Sequence, residues 1–178
     1  SSMADIEVIS LGYDFLNKLG VLDKINLTIN TLGDFESRQK YRDALINYLK
    51  DYQAKLSKDS IRRLSINPLR ILDSKDHEDK KIVQNAPNIL DFLNFESKTR
   101  FEEICKGLDQ LNIKYKIDKN LVRGLDYYCH TAFEFVTNEL GSQGSVLAGG
   151  RYDGLSKMLG GSDIPGVGWA AGIERLAL

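Results

Sequence analysis

Cysteine occurs only twice in the 178 residues, at positions 105 and 129. The pair has no Cys-x-x-Cys spacing and no histidine cluster beside it, so neither a disulfide framework nor a bound metal is expected. That scarcity points to a reduced, cytoplasmic protein. No run approaches the roughly 20 apolar residues of a membrane helix, which argues against a membrane partner. The opening Ser1-Ser2-Met3-Ala4-Asp5 has neither the basic nor the apolar part of a secretory signal. Glycine is nearly missing from residues 38–119, where Gly107 stands alone, yet eleven of the fifteen glycines fall in residues 120–178. Helices tolerate few glycines, whereas tight turns and backbone–ligand contacts recruit them. The middle is therefore read as helical and the end as strands and turns.

What is present supports the same division. The apolar fraction of 42% is enough for a sizeable core. Net charge is −1, but residues 38–119 hold 18 Lys/Arg against 13 Asp/Glu, while the flanks hold 6 against 12. A basic block between acidic ends suits either a polyanion partner or a solvated helical surface. Ile6, Ile9, Tyr13 and Leu16 recur at helical spacing, with Gly20 as the expected stop. Ile25, Leu27 and Ile29 alternate with polar residues as in a half-buried strand. Helices are predicted over 37–53, 57–65, 76–84 and 97–111, and strands at 115–117, 131–137 and 145–149. A short helix is predicted at 154–160, followed by a strand that turns into a helix near Gly172. The fold class expected is α+β: a sheet-forming domain, 1–33 and 120–178, interrupted by a helical insertion, 34–119.

Three segments of the glycine-rich end could carry chemistry. Leu121-Val122-Arg123-Gly124-Leu125-Asp126-Tyr127-Tyr128 combines a rigid fork of donors for carboxylate or phosphate with two flat aromatic walls. The same residues would equally serve a strand edge with a surface Arg–Asp pair and two core tyrosines. Ala148-Gly149-Gly150-Arg151-Tyr152-Asp153-Gly154 suits a turn whose amides or arginine meet a ligand, or a plain strand-to-helix connection. It matches neither a Walker loop nor a dinucleotide fingerprint. Gly166-Val167-Gly168-Trp169-Ala170-Ala171-Gly172-Ile173-Glu174-Arg175 sets an arginine in the first turn of a helix, where it could lie on an adenine ring and reach a phosphate. A fourth segment, Asn67–Ser74, reads as a turn and a short buried run. Of the two histidines, His77 sits in a charged run and His130 in a strand, and no catalytic triad can be assembled.

Taken in order, these segments resemble the histidyl-tRNA synthetases, a class II aminoacyl-tRNA synthetase family. Arg123–Tyr128 resembles that family's histidine-specific signature and Gly149–Gly154 its second histidine segment. Gly166–Leu176 is similar to the third class II motif. Asn67–Ser74 and Gly141-Ser142-Gln143-Gly144 are similar to bacterial members. The resemblance implies an antiparallel-sheet catalytic domain that activates L-histidine with ATP, accompanied by Mg2+, and transfers it to tRNA(His) as a homodimer. It implies that Arg123 stabilises the charge on the reacting oxygens. Tyr127, Tyr128 and Tyr152 would shape the imidazole pocket, with Gly149 and Gly150 as its floor, and Arg175, with Gly172, would meet ATP. Cys129-His130 departs from the residues usual after the paired tyrosines. The first two class II motifs and an anticodon-binding domain are not recognised, so an internal piece of such an enzyme is expected, inactive by itself. The alternative is a non-catalytic relative, such as the regulatory subunit of ATP phosphoribosyltransferase or an amino-acid-sensing domain. Retention of Arg123, Tyr127 and Tyr128 favours the enzyme. A generic nucleotide-binding module would explain Arg175 but not the Arg123 segment.

Overall fold

The computed structural model describes residues 1–125, 127–141 and 144–177. Helix α1 (Ser2–Lys18) buries Ile6, Ile9, Gly12 and Leu16, one stripe at helical spacing, and stops before Gly20, whose φ of 73° is the left-handed value glycine adopts freely. Strand β1 (Ile25–Thr31) follows. Four helices come next: α2 (Phe35–Lys50), α3 (Lys58–Ile66), α4 (His77–Gln84) and α5 (Phe95–Gln110). The chain then forms β2 (Tyr115–Ile117), β3 (Cys129–Thr137) and β4 (Ser145–Arg151). A single-turn α6 (Leu155–Met158), β5 (Val167–Ala171) and α7 (Ile173–Leu176) complete it.

The five strands form one sheet in the order β2-β1-β3-β4-β5, parallel only between β1 and β2. Strand alternation gives it two unlike faces. Leu27, Ile29, Phe133, Phe135 and Leu147 point to one side, where they pack with Ile6, Ile9 and Leu16 of α1 and with Phe101, Ile104 and Leu108 of α5. Ala132, Glu134, Ala148 and Gly150 lie on the other side, across the ladder from Thr28 and Asn30. This second face is roofed by no helix of the α1–α5 layer.

A separate core is built by Tyr41, Leu45 and Leu49 of α2 with Ile71, Leu72, Ile82, Val83 and Ile89. Its entry and exit are laced together by two reciprocal helix caps. Asp34 accepts from the Ser37 amide at 2.8 Å to start α2, and Asn94 accepts from the Ser97 amide at 2.8 Å to start α5. The Asn94 amide donates to Ser37 Oγ (3.0 Å), the Asp34 amide to Ser97 Oγ (3.2 Å), and Asn94 Nδ2 to Asp34 Oδ2 (2.6 Å). Each cap thus satisfies an orphan amide of its own helix, and the two serine hydroxyls take the amides of the opposite caps. This lacing ties the start of α2 to the start of α5. Helix α5, within the expected 34–119 span, packs Phe101, Ile104 and Leu108 under the sheet, and β2 pairs with β1. Inside the insertion, buried Asp79 accepts from the hydroxyls of Ser57 (2.7 Å), Ser60 (2.6 Å) and Ser74 (2.6 Å) and from the Ser57 amide (2.9 Å). Burial alone would raise its carboxyl pKa, but these hydrogen bonds outweigh it and hold the pKa below the ordinary value. Among the described residues no helix is long and apolar enough to cross a membrane.

Candidate active site on the open face of the sheet

The chain between β2 and β3 arches over the open face. Asn30 of β1 tethers it, donating from Nδ2 to the carbonyl of Leu121 at 2.9 Å, while Leu121 packs with Leu32 and Ala132. This delivers Arg123 to the middle of the sheet. Its Nη1 donates to Glu134 Oε1 at 2.7 Å, Nε to the Gly149 carbonyl at 3.1 Å, and Nη2 to the Phe133 carbonyl. The side chain is only 11% exposed. Three of its five N–H groups are thereby used, which leaves one hydrogen on each terminal nitrogen. An arginine so held is a fixed donor pair, costing little reorganisation when an oxyanion arrives.

Beside it stand three tyrosines. The rings of Tyr127 and Tyr128 are 4.8 Å apart, and that of Tyr152 meets them edge-on at 6.4 and 6.0 Å. Glycine makes the space for them. A methyl group on Gly150 would lie 2.6 Å from the Thr131 carbonyl and 3.1 Å from Tyr128 Cδ1, and one on Gly168 would approach the Tyr152 hydroxyl to 2.8 Å. Burial, reinforced by the adjacent Tyr127, raises the Tyr128 pKa above the ordinary phenol value, so Tyr128 offers a neutral hydroxyl near pH 7. Arg38 of α2 donates from Nη1 to the carbonyl of Tyr128, tying the insertion to this wall.

The expected site residues thus fall along β4. Tyr127, Tyr128, Gly150 and Tyr152 gather at one end and Arg123 sits midway. Arg175, one turn past Gly172, donates to the Ser145 carbonyl (2.5 Å) at the other end. Gly149 offers its carbonyl to Arg123, but its α-carbon faces the core: a methyl there would lie 2.5 Å from Phe133 Cζ. Arg151, read as able to meet a ligand, does not point to the open face. It is buried on the helix side against Asp5, because residues two apart on a strand share a face and Leu147 and Gly149 already face the core. Asp126, Ser142 and Gln143 lie outside the described residues. Glu134, the partner of Arg123, is legible in the sequence only as a lone acid alternating with Phe133 and Phe135, which marks the opposite face. His130 is half-buried at φ 49°, and burial followed by the charge of Arg100 lowers its pKa.

The model of the histidyl-tRNA synthetase family matches residues 1–176. The chain belongs to that family. It is 58% identical over 177 residues to the histidine–tRNA ligase of Ehrlichia ruminantium (strain Welgevonden) and 56% identical over 176 residues to that of Rhodospirillum rubrum, each match covering 99% of this chain. It spans 43% and 42% of those relatives, well under half their length. Among solved structures, apo histidyl-tRNA synthetase of Staphylococcus aureus superposes with a TM-score of 0.76 at 37% identity, over 99% of this chain and 43% of that one. An ATP phosphoribosyltransferase regulatory subunit/histidyl-tRNA synthetase from Bacillus halodurans shares the fold, at 20% identity and a TM-score of 0.57. The mixed α+β class and the mostly antiparallel sheet are those of this synthetase family.

Proposed function

We propose that this chain is the part of a histidine–tRNA ligase that binds L-histidine and ATP and joins them as histidyl-adenylate, from which histidine passes to tRNA(His). The observation that carries the reading is the anchored Arg123 beside the Tyr127, Tyr128 and Tyr152 cluster on an open, glycine-lined sheet face. The imidazole would lie among the tyrosines, whose hydroxyls reject amino acids lacking ring nitrogens by leaving buried polar groups unpaired. The carboxylate would then reach Arg123. From Gly150 to Ser145 the strip runs about 17 Å at the usual strand rise, room for an amino acid set end to end with a nucleotide. Arg175, at its far end, would meet the adenine and phosphates of ATP.

In the step itself a histidine carboxylate oxygen attacks the α-phosphorus, the bond to the pyrophosphate oxygen breaks, and negative charge grows on the α-phosphoryl oxygens. The two free N–H groups of Arg123 would stabilise that charge with little reorganisation. Mg2+ is expected with ATP as counter-ion to its phosphates. Among the described residues no group of three acidic, histidine or cysteine side chains is arranged to hold a metal. Cytoplasmic location, homodimer formation and tRNA binding belong to the same proposal for the full-length protein. Its test is amino-acid-dependent ATP–pyrophosphate exchange by the full-length protein carrying this sequence, assayed with each amino acid in turn. Histidine alone should support exchange; exchange with none, or with another amino acid in its place, would refute the reading.

A further inference from the structure

Directly beneath the tyrosine cluster lies a buried charge network. Arg151 is 3% exposed and Asp5 is fully buried. Arg151 Nε and Nη2 donate to the two Asp5 carboxylate oxygens at 3.0 and 2.7 Å. Its Nη1 donates to Asp153 Oδ1 at 2.8 Å, and the same oxygen accepts from the Gly166 amide at 3.1 Å. Tyr152 stands between these residues in the chain. Its own amide donates to the Gly166 carbonyl at 2.8 Å, and its carbonyl accepts from the Leu155 amide at 3.1 Å.

The strand pleat turns this arrangement into a lever. Arg151 points to the helix side of the sheet, and Asp153 bends back to join it, so Tyr152 must project to the opposite, open side. There its ring lies against Gly166 and Gly168 and edge-on to Tyr128. Stability alone is a weak reason for such a network. Buried ion pairs are often replaceable by well-packed apolar residues without loss, and their best-supported benefit is specifying one geometry. Here the geometry specified is the position of one wall of the pocket.

We infer that Asp5, Arg151 and Asp153 form a positioning clamp that sets Tyr152 from beneath the sheet and so tunes affinity for the amino acid without touching it. The inference rests on the open face being the histidine pocket. It separates these three from catalytic residues, since none reaches the open face.

The test uses the full-length protein. Asp153→Ala removes the acceptor for both Arg151 and the Gly166 amide. It should raise KM for histidine in ATP–pyrophosphate exchange about tenfold while KM for ATP stays within about twofold, the pattern of lost uniform binding to one substrate. Asp153→Asn keeps an oxygen at the same place and should recover most of the loss. Asp5→Asn, acting from the far side of the sheet, should shift the histidine KM in the same direction. If it does not fold, the Asp153 pair decides. An independent reading comes from full-length protein labelled with 3-fluorotyrosine, its Tyr152 signal assigned with Tyr152→Phe. That signal should move or broaden in Asp153→Ala and return in Asp153→Asn. A folded Asp153→Ala protein with unchanged histidine KM, or an unmoved Tyr152 signal, would overturn the clamp. An inactive wild type would instead overturn the functional reading, leaving the fluorine signal to decide whether the clamp exists.

Discussion

Replacing Arg123 by lysine tests the catalytic reading where the structure is most specific. The guanidinium spans three acceptors at once, Glu134 Oε1 and the carbonyls of Gly149 and Phe133, and still keeps two N–H groups for a substrate. An ammonium at the end of a lysine chain is a point charge. It can satisfy Glu134 or one strand carbonyl, but it cannot hold the fork and also present a directed pair of donors. Losing one preorganised donor to a developing oxyanion typically costs about 10²–10³ in rate, or about 2.7–4 kcal/mol. Arg123→Lys in the full-length protein should therefore lower kcat for histidyl-adenylate formation by roughly that factor, with KM for histidine and ATP changing far less. Steady-state ATP–pyrophosphate exchange reads both constants. A variant with kcat intact and only the histidine KM raised would show that Arg123 binds the ground state, and the transition-state argument would fail.

Two neighbouring glycines should behave differently. Gly149→Ala drives a methyl to 2.3 Å from the Gly168 carbonyl and 2.5 Å from Phe133, inside the core. Overpacking of this kind costs about 1–3 kcal/mol, so Tm measured by circular dichroism should drop by about 2–12 °C. Gly168→Ala meets first the Tyr152 hydroxyl, at 2.8 Å, the end of a side chain that can shift, and should leave Tm nearly unchanged while raising the histidine KM. Asp79→Asn should cost about 1–3 kcal/mol at neutral pH, because an amide cannot accept from three serine hydroxyls and a backbone amide as a carboxylate does. The Asp79 pKa is lowered on folding, so its contribution is full above the unfolded value of about 3.8 and is lost as pH falls from there through the lowered folded value. Urea unfolding of wild type and variant should accordingly converge in acid. On the insertion surface Arg62 is 74% exposed and pairs with Asp59, whereas Arg63 also supports the Arg70 carbonyl. Arg62→Gln should raise KM for tRNA in a salt-dependent way and spare adenylate formation; equal damage to both steps would give Arg62 a folding role.

Much of this was readable from residue spacing. The stripe Ile6, Ile9 and Leu16, the alternation of Ile25, Leu27 and Ile29, and the shift of glycine to the last third foretold α1, β1 and the strand-rich end. The helices fell within a few residues of expectation because their caps, Asp34, Ser57, Asp76 and Asn94, precede apolar stripes directly. What stayed hidden was long-range. An apolar stripe does not name its partner, so the sequence could not say that α5 packs under the sheet instead of within the insertion. Nor could Asp5, in an ordinary first turn, be matched to Arg151 across 146 positions. Arginine after a glycine pair looks like a ligand-binding residue until the pleat shows which way it faces. The proximity of Tyr127 and Tyr128 to Tyr152 was implied by family resemblance, whereas their edge-on packing was not legible in residue types.

In the proposed function the open face between Tyr152 and Arg123 receives the amino acid. A crystal structure of the full-length protein with L-histidine bound addresses it most directly. The imidazole should lie among Tyr127, Tyr128 and Tyr152, with the carboxylate within hydrogen-bond distance of Arg123 and the Arg123–Glu134 pair intact. Histidine bound elsewhere, or a tyrosine cluster collapsed over the face with Arg123 turned away from the ligand, would contradict it.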